Sequence, residues 1–352
     1  MKLIQIHSDI SVVAGDFGEL ITIGPNHRVV MSLDYGSDLW ASGSCSVQIW
    51  DPPGYTPEID VMQLGGTPWV VTYDGAVRFT GFLQDVNVER TEGGYLRTFT
   101  LRDCLSAWDV LLTQKTYPDP PTVSATYKVT DALADMCTAA DSVSGIPSYG
   151  TPPTNAMLVT DMYEDGIMEV NNSSYLAEIQ RICQNLWYHA FCDCAFPDVR
   201  ILGVSTPDGS YTPDADSVIS ASFSMDATSI PATVFASSDS DETDATGVAY
   251  GNHGTGANEN AGNFGITGID NLVWASTVGI AEDHLAGIAH QVYDMARGGS
   301  KVLSVTVAGP EPIGRRIIGL GLVWTGGPYF IFAHHTHVDA HSYKTTYQAW
   351  GS

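Results

Sequence analysis

The sequence contains few basic residues. Fifteen Lys and Arg stand against 40 Asp and Glu, which gives a formal net charge of −25 at pH 7. Binding to nucleic-acid phosphates requires clustered cations, so this composition argues against specific nucleic-acid binding. An acidic surface would instead repel DNA and let it pass without sticking.

We also expect neither a membrane segment nor an export signal. No apolar stretch approaches the roughly 20 residues that a membrane-spanning helix requires, so no membrane segment is expected. Residues 1–5 run straight into polar sequence, and no signal peptide is expected. Six cysteines in 352 residues are too few for a disulfide framework. We expect most of them to be buried apolar side chains of a protein assembled in the cytoplasm.

The familiar catalytic motifs are missing as well. The sequence has no Gly-x-Ser-x-Gly elbow, and the glycines within residues 247–265 are not followed by the Lys-Ser/Thr of a phosphate-binding loop. Carboxylates are plentiful, so one pair could flank a glycosidic bond by chance. We therefore expect no enzyme activity, no catalytic residues and no cofactor.

The abundant residues predict an α+β fold dominated by β-structure. The 35 glycines and 18 prolines favour many turns, and 44% hydrophobic residues are enough for packed cores. A chain of this length is expected to form two or three domains. We predict two β-domains, a small α/β module between them and a helix-bearing insertion in the second β-domain.

Residues 1–112 are predicted to form the first β-domain, a barrel or a sandwich. Asp74-Gly75 predicts a hairpin turn, and the glycine pair at 93–94 predicts a second turn. In the run that follows, Phe99 and Leu101 share one face, as in a half-buried strand. The strand candidates are residues 28–32, 45–50, 69–73, 77–81 and 95–102.

Residues 113–196 are predicted to form the small α/β module. Thr130 is expected to cap a first helix, and Ser173 or Ser174 a second. A Gly/Pro/Ser-rich loop is expected at 142–154 and a strand at 189–196. The apolar stripes of the two helices are Ala132, Leu133, Met136 and Cys137, then Leu176, Ile179, Cys183 and Leu186.

Residues 197–352 are predicted to form the second β-domain, with a polar loop and a helix inserted around 238–298. The polar tract at 238–267 predicts a long surface loop or partial disorder. The apolar stripe at 279–297 predicts the helix. The last forty residues predict apolar strands joined by a glycine turn and a His-rich bend at 334–341. The other strand candidates are 199–203, 217–223, 232–237 and 302–307.

A histidine cluster is the first candidate metal site. His335 and His337 would point the same way on a strand, and His334 and His341 lie nearby. Asp339 is the one carboxylate at a suitable spacing. We favour polar packing on a strand near the surface over a metal site.

Two further groups could hold metals. Cys192 and Cys194, with Cys183 and His189, could supply four zinc ligands, but apolar neighbours and the spacing of the cysteines favour buried thiols. The acidic run at 239–244 has oxygen ligands at alternate positions, as calcium requires. It lacks the glycine and the distal Glu of a helix-loop-helix site, so a solvated loop is favoured. No metal site is predicted.

Four segments together resemble the baseplate hub proteins of contractile phage tails and related injection systems. They are residues 79–85 with 95–106, residues 173–183, residues 281–297 with 302–307, and the closing residues 326–332 with His337 and Thr345. Each motif alone is weak, but their order covers nearly the whole chain. One departure lies at 314–319, where hubs often have a Pro-Gly-x-x-Val step.

This resemblance implies two tube-like β-barrel domains in each subunit and a homotrimer. Three subunits would form a pseudo-sixfold ring that joins a hexameric tail tube to a trimeric spike and leaves a channel for DNA. The implied partners are the chain itself, the tail tube protein, the spike protein and other baseplate proteins, with the tape measure protein as a further candidate. The implied location is the tail baseplate of a virion, assembled in the host cytoplasm.

Two other functions compete with this interpretation. A glycan-binding tail component could stack sugars on tryptophans, although most tryptophans pack in cores. A peptidoglycan hydrolase would require a catalytic carboxylate, and no further feature of the sequence supports this interpretation. The tryptophans considered for sugar stacking are Trp40, Trp50, Trp69, Trp274, Trp324 and Trp350.

Overall fold

The structure is a computed structural model of the 352-residue chain. It describes residues 10–14, 19–21, 29–39, 41–52, 68–73, 75–112, 114–148, 150, 152–153, 158–162, 166–186, 188–203, 207–225, 233–239, 246–251, 272–278, 301–309, 311–325, 327–339 and 342–351. The fold is α+β and dominated by β-structure, as predicted. The predicted helix at 279–297 lies outside the described residues.

The first β-region contains all five predicted strands, and alternation of apolar and polar residues explains them. Two of these strands, β3 and β6, run further than predicted, and β1 and β2 were not predicted. In β4, every second side chain from Cys45 to Asp51 is buried. Gly75 adopts a φ of 69°, which lets the chain turn tightly between β5 and β6. The strands are β1 (Ile10–Ala14), β2 (Glu19–Ile21), β3 (Val29–Asp38), β4 (Ser44–Asp51), β5 (Pro68–Tyr73), β6 (Ala76–Thr91) and β7 (Gly94–Asp103).

The α/β module contains the two predicted helices. Its elements are β8 (Leu111–Leu112), β9 (Lys115–Tyr117), α1 (Val129–Ser144), α2 (Val159–Met162), β10 (Met168–Val170), β11 (Ser173–Ser174), α3 (Tyr175–Leu186), β12 (Tyr188–Phe191) and β13 (Arg200–Gly203). The predicted stripe of α1 is fully buried, and that of α3 is buried except for Leu176, which packs partly exposed against the same core.

Two local predictions in the module were wrong. Thr130 does not cap α1: it lies buried inside the helix, while Lys128 is the N-cap and its N–H donates to Asp131 Oδ2 (3.0 Å). The strand expected at 189–196 ends at Phe191, because a turn follows in which the Phe196 N–H donates to the Asp193 carbonyl (2.8 Å). The Ser174 hydroxyl does accept from the Ala177 N–H (3.1 Å) at the start of α3, as predicted.

The last β-region is also longer in strand than predicted. The tract at 238–267 contains a strand that pairs with its predecessor, and the bend expected at 334–341 is strand as far as Asp339. The strands are β14 (Ser210–Tyr211), β15 (Val218–Met225), β16 (Thr233–Asp239), β17 (Thr246–Gly251), β18 (Leu272–Val278), β19 (Lys301–Ala308), β20 (Gly321–Leu322), β21 (Tyr329–Asp339) and β22 (Tyr343–Trp350).

One large sheet runs through both β-regions. Its order is β15-β19-β22-β21-β3-β4-β7-β6-β5-β1-β2, and the two regions meet where β21 pairs with β3. We call this pairing the seam. A separate three-stranded sheet contains β16, β17 and β18.

Three hydrophobic cores lie against these elements. One belongs to the α/β module, one to the first β-region and one to the last. They meet around residues 190–194: Ala190 and Cys192 are in the module core, Phe191 is in the last core and Cys194 is in the first. The domain boundaries at 112/113 and 196/197 stay a prediction. In the described part of the chain, no helix has the length and apolarity to cross a membrane.

Candidate functional site: a polar sheet face with two open edges

Eight neighbouring strands form a continuous antiparallel run from β15 through the seam to β6. Away from the two outer strands, one face of this run is buried in the cores. The middle of the other face carries small polar side chains, and at one end of that face Trp350 and Phe330 are buried. One row across that second face reads Ser220, Thr306, Thr346, His335, Gly36, Ser44 and Arg102. The next row reads Lys344, His337, Asp34, Ser46, Thr100 and Asp85. We call this surface the polar face.

Side chains of the polar face contact one another across strands. The Thr306 and Thr346 hydroxyls lie 3.0 Å apart, and Ser32 Oγ donates to Gln48 Oε1 (3.1 Å). Arg102 Nε donates to Gln84 Oε1 (2.8 Å). Such cross-strand pairs stabilise the sheet and leave its surface hydrophilic.

The predicted histidine cluster is divided between the two faces. His335 and His337 lie on the polar face, as predicted, but His334 is buried on the opposite one. Burial lowers the pKa of His334, so its neutral form is favoured. His341 lies outside the described residues.

His337 lies between two carboxylates at the seam. Its Nδ1 is 2.5 Å from Asp34 Oδ1 on β3, and its Nε2 is 3.0 Å from Asp339 Oδ2 on its own strand. Partial burial lowers the pKa of His337, but the hydrogen bonds and charges of Asp34 and Asp339 outweigh burial and raise it overall. Both ring nitrogens therefore have carboxylate partners, and the ring, when protonated, joins β21 to β3.

A buried polar network lies beneath the seam, and sequence analysis missed it. Glu311 Oε2 accepts from Tyr35 Oη (2.7 Å) and from Thr336 Oγ1 (3.1 Å). Arg78 Nη1 donates to the Glu311 carbonyl (3.0 Å) and lies 3.4 Å from Glu311 Oε1. Both charged side chains are at least nine-tenths buried. Burial, aided by the charge of Glu311, raises the pKa of Tyr35, which stays a neutral donor.

The candidate zinc cysteines do not converge. Cys183 and Cys192 lie in the module core, and Cys194 lies in the core of the first β-region. Cys194 Sγ is 2.8 Å from Ser37 Oγ, which also accepts from the Cys194 N–H (2.7 Å). Burial raises the pKa of Cys192 and Cys194, and this disfavours the thiolate that binds metals. Cys194 thus connects the module to β3.

Among the described residues, no group of three or more His, Cys, Asp or Glu side chains is arranged to hold a metal ion. Residues 240–244 of the acidic run lie outside the described residues.

The tryptophans give little support to sugar stacking. Trp69 is fully buried and Trp350 is 8% exposed, while Trp50 and Trp324 are half-buried. Trp40 and the side chain of Trp274 lie outside the described residues. Core packing accounts for Trp69 and Trp350, as expected for most tryptophans.

In the described part of the chain, the eight-stranded run has an open strand edge at each end. β15 pairs only with β19 in the described part of the chain, and its Ile219, Phe223 and Met225 are exposed. At the other end, β5 covers β6 as far as Phe82. Beyond that point the outer side of residues 84–91 has no strand partner among the residues described, although β7 pairs with the inner side. We call these the β15 edge and the β6 edge.

Comparison with solved structures identifies this fold. The chain matches the 43 kDa tail protein of prophage MuSo2 from Shewanella oneidensis with a TM-score of 0.65 and 12% identity, over 97% of this chain and 98% of that one. It matches a tail protein from Neisseria meningitidis MC58 with a TM-score of 0.65 and 13% identity, over 98% and 96%.

A type VI secretion system component from E. coli, structurally similar to the T4 bacteriophage tail proteins gp27 and gp5, matches with a TM-score of 0.54 and 10% identity, over 97% of this chain and 76% of that one. No protein-family model and no curated protein matches the sequence. The chain therefore has the fold of phage tail proteins and a related secretion component over nearly its whole length. This confirms the resemblance found in the sequence.

Proposed function

We propose that the chain is a structural baseplate hub subunit, three copies of which form a ring between a tail tube and a spike. The observation that carries this proposal is the eight-stranded run, which among the described residues has an open edge at each end. Unpaired strand edges are prone to pair with other chains, and a ring removes them by joining each β6 edge to the β15 edge of the next copy. The shared fold with phage tail proteins supports the same assembly.

Strand direction is compatible with closure. All eight strands alternate in direction, so β15 and β6 run oppositely within one subunit. After rotation about a ring axis, the β6 edge of one copy therefore meets the β15 edge of the next in antiparallel orientation. Three copies would supply a closed barrel of 24 strands with no edge left open.

The eight-stranded run divides into two four-stranded halves, and these would give the proposed ring its pseudo-sixfold symmetry. β15-β19-β22-β21 and β3-β4-β7-β6 are two four-stranded units in one subunit, joined at the seam. A ring of three subunits thus presents six such units toward a hexameric tube and keeps threefold symmetry toward a trimeric spike. The partners we propose are the tube protein, the spike protein and other baseplate proteins, in a virion tail.

The polar face suits the lumen of this ring. Its cations Arg102 and Lys344 are outnumbered by carboxylates, among them Asp34, Asp85 and Glu89, and most of its other side chains are Ser, Thr or Gln. DNA binding depends on releasing counterions to clustered cations, so DNA would pass such a wall without being held. We assign the chain no catalytic role.

Imaging and mass measurement test the proposal. The purified chain, alone and together with a tail tube protein, is examined by negative-stain electron microscopy and by sedimentation. We expect threefold rings with an open centre and a mass three times the 37.7 kDa of the chain. A chain that stays monomeric alone and is not recruited by the tube protein contradicts the hub assignment.

A further inference from the structure

An aromatic pocket lies beside the β15 edge. It has a volume of about 290 Å³, and Phe223, Leu303, Trp324 and Tyr329 supply its apolar walls. The Phe223 and Tyr329 rings contact edge to face with centroids 6.3 Å apart, yet Phe223 remains 53% exposed. A half-open aromatic pocket next to an unpaired strand is typical of an interface whose other side is missing.

The β6 edge carries apolar side chains that fit such a pocket. Asp85, Asn87 and Glu89 lie on the polar face, so Val86 and Val88 point to the opposite face. Val86 packs half-buried against the first core, whereas Val88 is 51% exposed on a strand whose adjacent residues are polar.

Successive side chains of a strand point to opposite faces, and this alternation determines which residues of β6 face the pocket. In β15, Ser220, Ser222 and Ser224 lie on the polar face by register, so Ala221 and Phe223 point to the opposite side, where Leu303 lies. Ser222, between these two residues, also lines the pocket. If the polar faces of two copies are continuous, the valines of the β6 edge must lie on the pocket side of the joint.

The lengths of the two edges fix a natural overlap. Both the β15 edge and the β6 edge span eight residues. Full antiparallel overlap places Val88 opposite Ala221 and Val86 opposite Phe223. Cross-strand neighbours and their diagonals are within contact distance, so both valines would reach the Phe223 ring.

We propose that the pocket receives Val86 and Val88 of a second copy of this chain, and that these contacts fix the register of the subunit joint. The inference rests on the proposed ring and adds the residues that close it. The β6 edge of a second copy matches the β15 edge in strand direction, in length and in the face on which its apolar side chains lie. A second copy of this chain is therefore the occupant that we propose.

Cysteine cross-linking tests the register. A chain carrying V88C is mixed with a chain carrying A221C under mild oxidation, after ring formation has been measured by sedimentation. Directly opposed residues on paired strands lie within the reach of a disulfide. The six native cysteines are buried, so they contribute little background. We expect a covalent dimer in the mixture and none in either chain alone.

The matched control pairs A221C with V143C, which is similarly exposed but lies on α1. Rings that form without a V88C–A221C link, or that link V143C equally well, overturn the inference and leave the ring proposal standing. Absence of rings both alone and with the tail tube protein overturns both.

A second variant tests the pocket contact without cross-linking. V88D should reduce the fraction of chain in rings at least tenfold, because it places a carboxylate among aromatic side chains, whereas its monomer should melt like the native chain. V143D is the control with unchanged assembly. Undiminished ring formation by V88D overturns the proposed contact.

Discussion

Glu311 holds a buried negative charge among three donors. Tyr35 and Thr336 donate to its carboxylate, and Arg78 supplies the opposite charge from β6. These residues come from both β-regions, so the network joins them beneath the seam. A buried ion pair contributes little net stability, but removing one partner leaves the other charge uncompensated.

Substituting Glu311→Gln should therefore be strongly destabilising. The change keeps the size of the side chain and removes its charge, leaving Arg78 buried without a counter-charge. We expect the free energy of unfolding to fall by about 3–5 kcal/mol, measured by denaturant titration. Glu92→Gln, at an exposed turn, is the control and should change it by less than about 0.5 kcal/mol. Equal effects of the two substitutions would contradict a role for the network.

His337 gives the seam a dependence on pH. Its pKa is raised in the folded chain, so protonated His337 stabilises the fold at pH values below the ordinary histidine pKa, about 6.5. This stability is lost as the pH rises through the folded pKa. The groups facing the ring are Asp34, Asp339, His335 and Lys344, of which the last is a competing cation on β22.

We expect His337→Gln to lower the melting temperature at pH 6 and to have a smaller effect at pH 8. Thermal unfolding of both chains across this range measures the difference. His335→Gln, exposed on the same strand, is the control. A His337→Gln effect that is independent of pH would show that the ring contributes only by packing.

At the scale of elements, the β6–β7 hairpin shows what a glycine does in a motif. Gly81 lies in the segment that carried the family resemblance, and a Cβ at this position would collide with the Arg102 carbonyl on β7. The glycine thus permits close approach of two strands, rather than a turn.

Gly81→Ala should disrupt this approach. Because the colliding atom belongs to backbone, we expect a loss of about 1–3 kcal/mol in unfolding free energy, typical of overpacking. Gly93→Ala, in the turn of the same hairpin, meets its nearest neighbour at 3.8 Å and serves as the control. Chemical denaturation of both variants checks the difference, and a Gly81→Ala chain as stable as the control would refute it.

The strands and the helices of the module could be predicted because their patterns are local. Alternation marked β4 and β7, and the stripe of Ile179, Cys183 and Leu186 marked α3. The seam could not be predicted, since it joins residues about 300 positions apart. Nor could the Arg78–Glu311 pair, because nothing near either residue in the sequence marks its partner. Cys192 and Cys194 would share a face if β12 continued through them. Because β12 ends at Phe191, they enter different cores.

The whole molecule presents a polar face with few cations, and this makes a prediction about DNA. We expect no binding of duplex DNA at about 0.15 M salt, measured by fluorescence anisotropy. Replacing Gln48, Thr98 and Thr100 by lysine on this face should create binding that weakens steeply with added salt. Tight binding by the native chain would contradict the proposed lumen.

The seam also sets the order in which the chain can fold. β3 leaves the ribosome about 300 residues before β21, its partner strand. Until β21 emerges, the edge of β3 that pairs with it stays unpaired. The nascent chain then has only one of its two four-stranded units. A nascent chain therefore cannot take a place in the proposed ring before β21 has paired with β3.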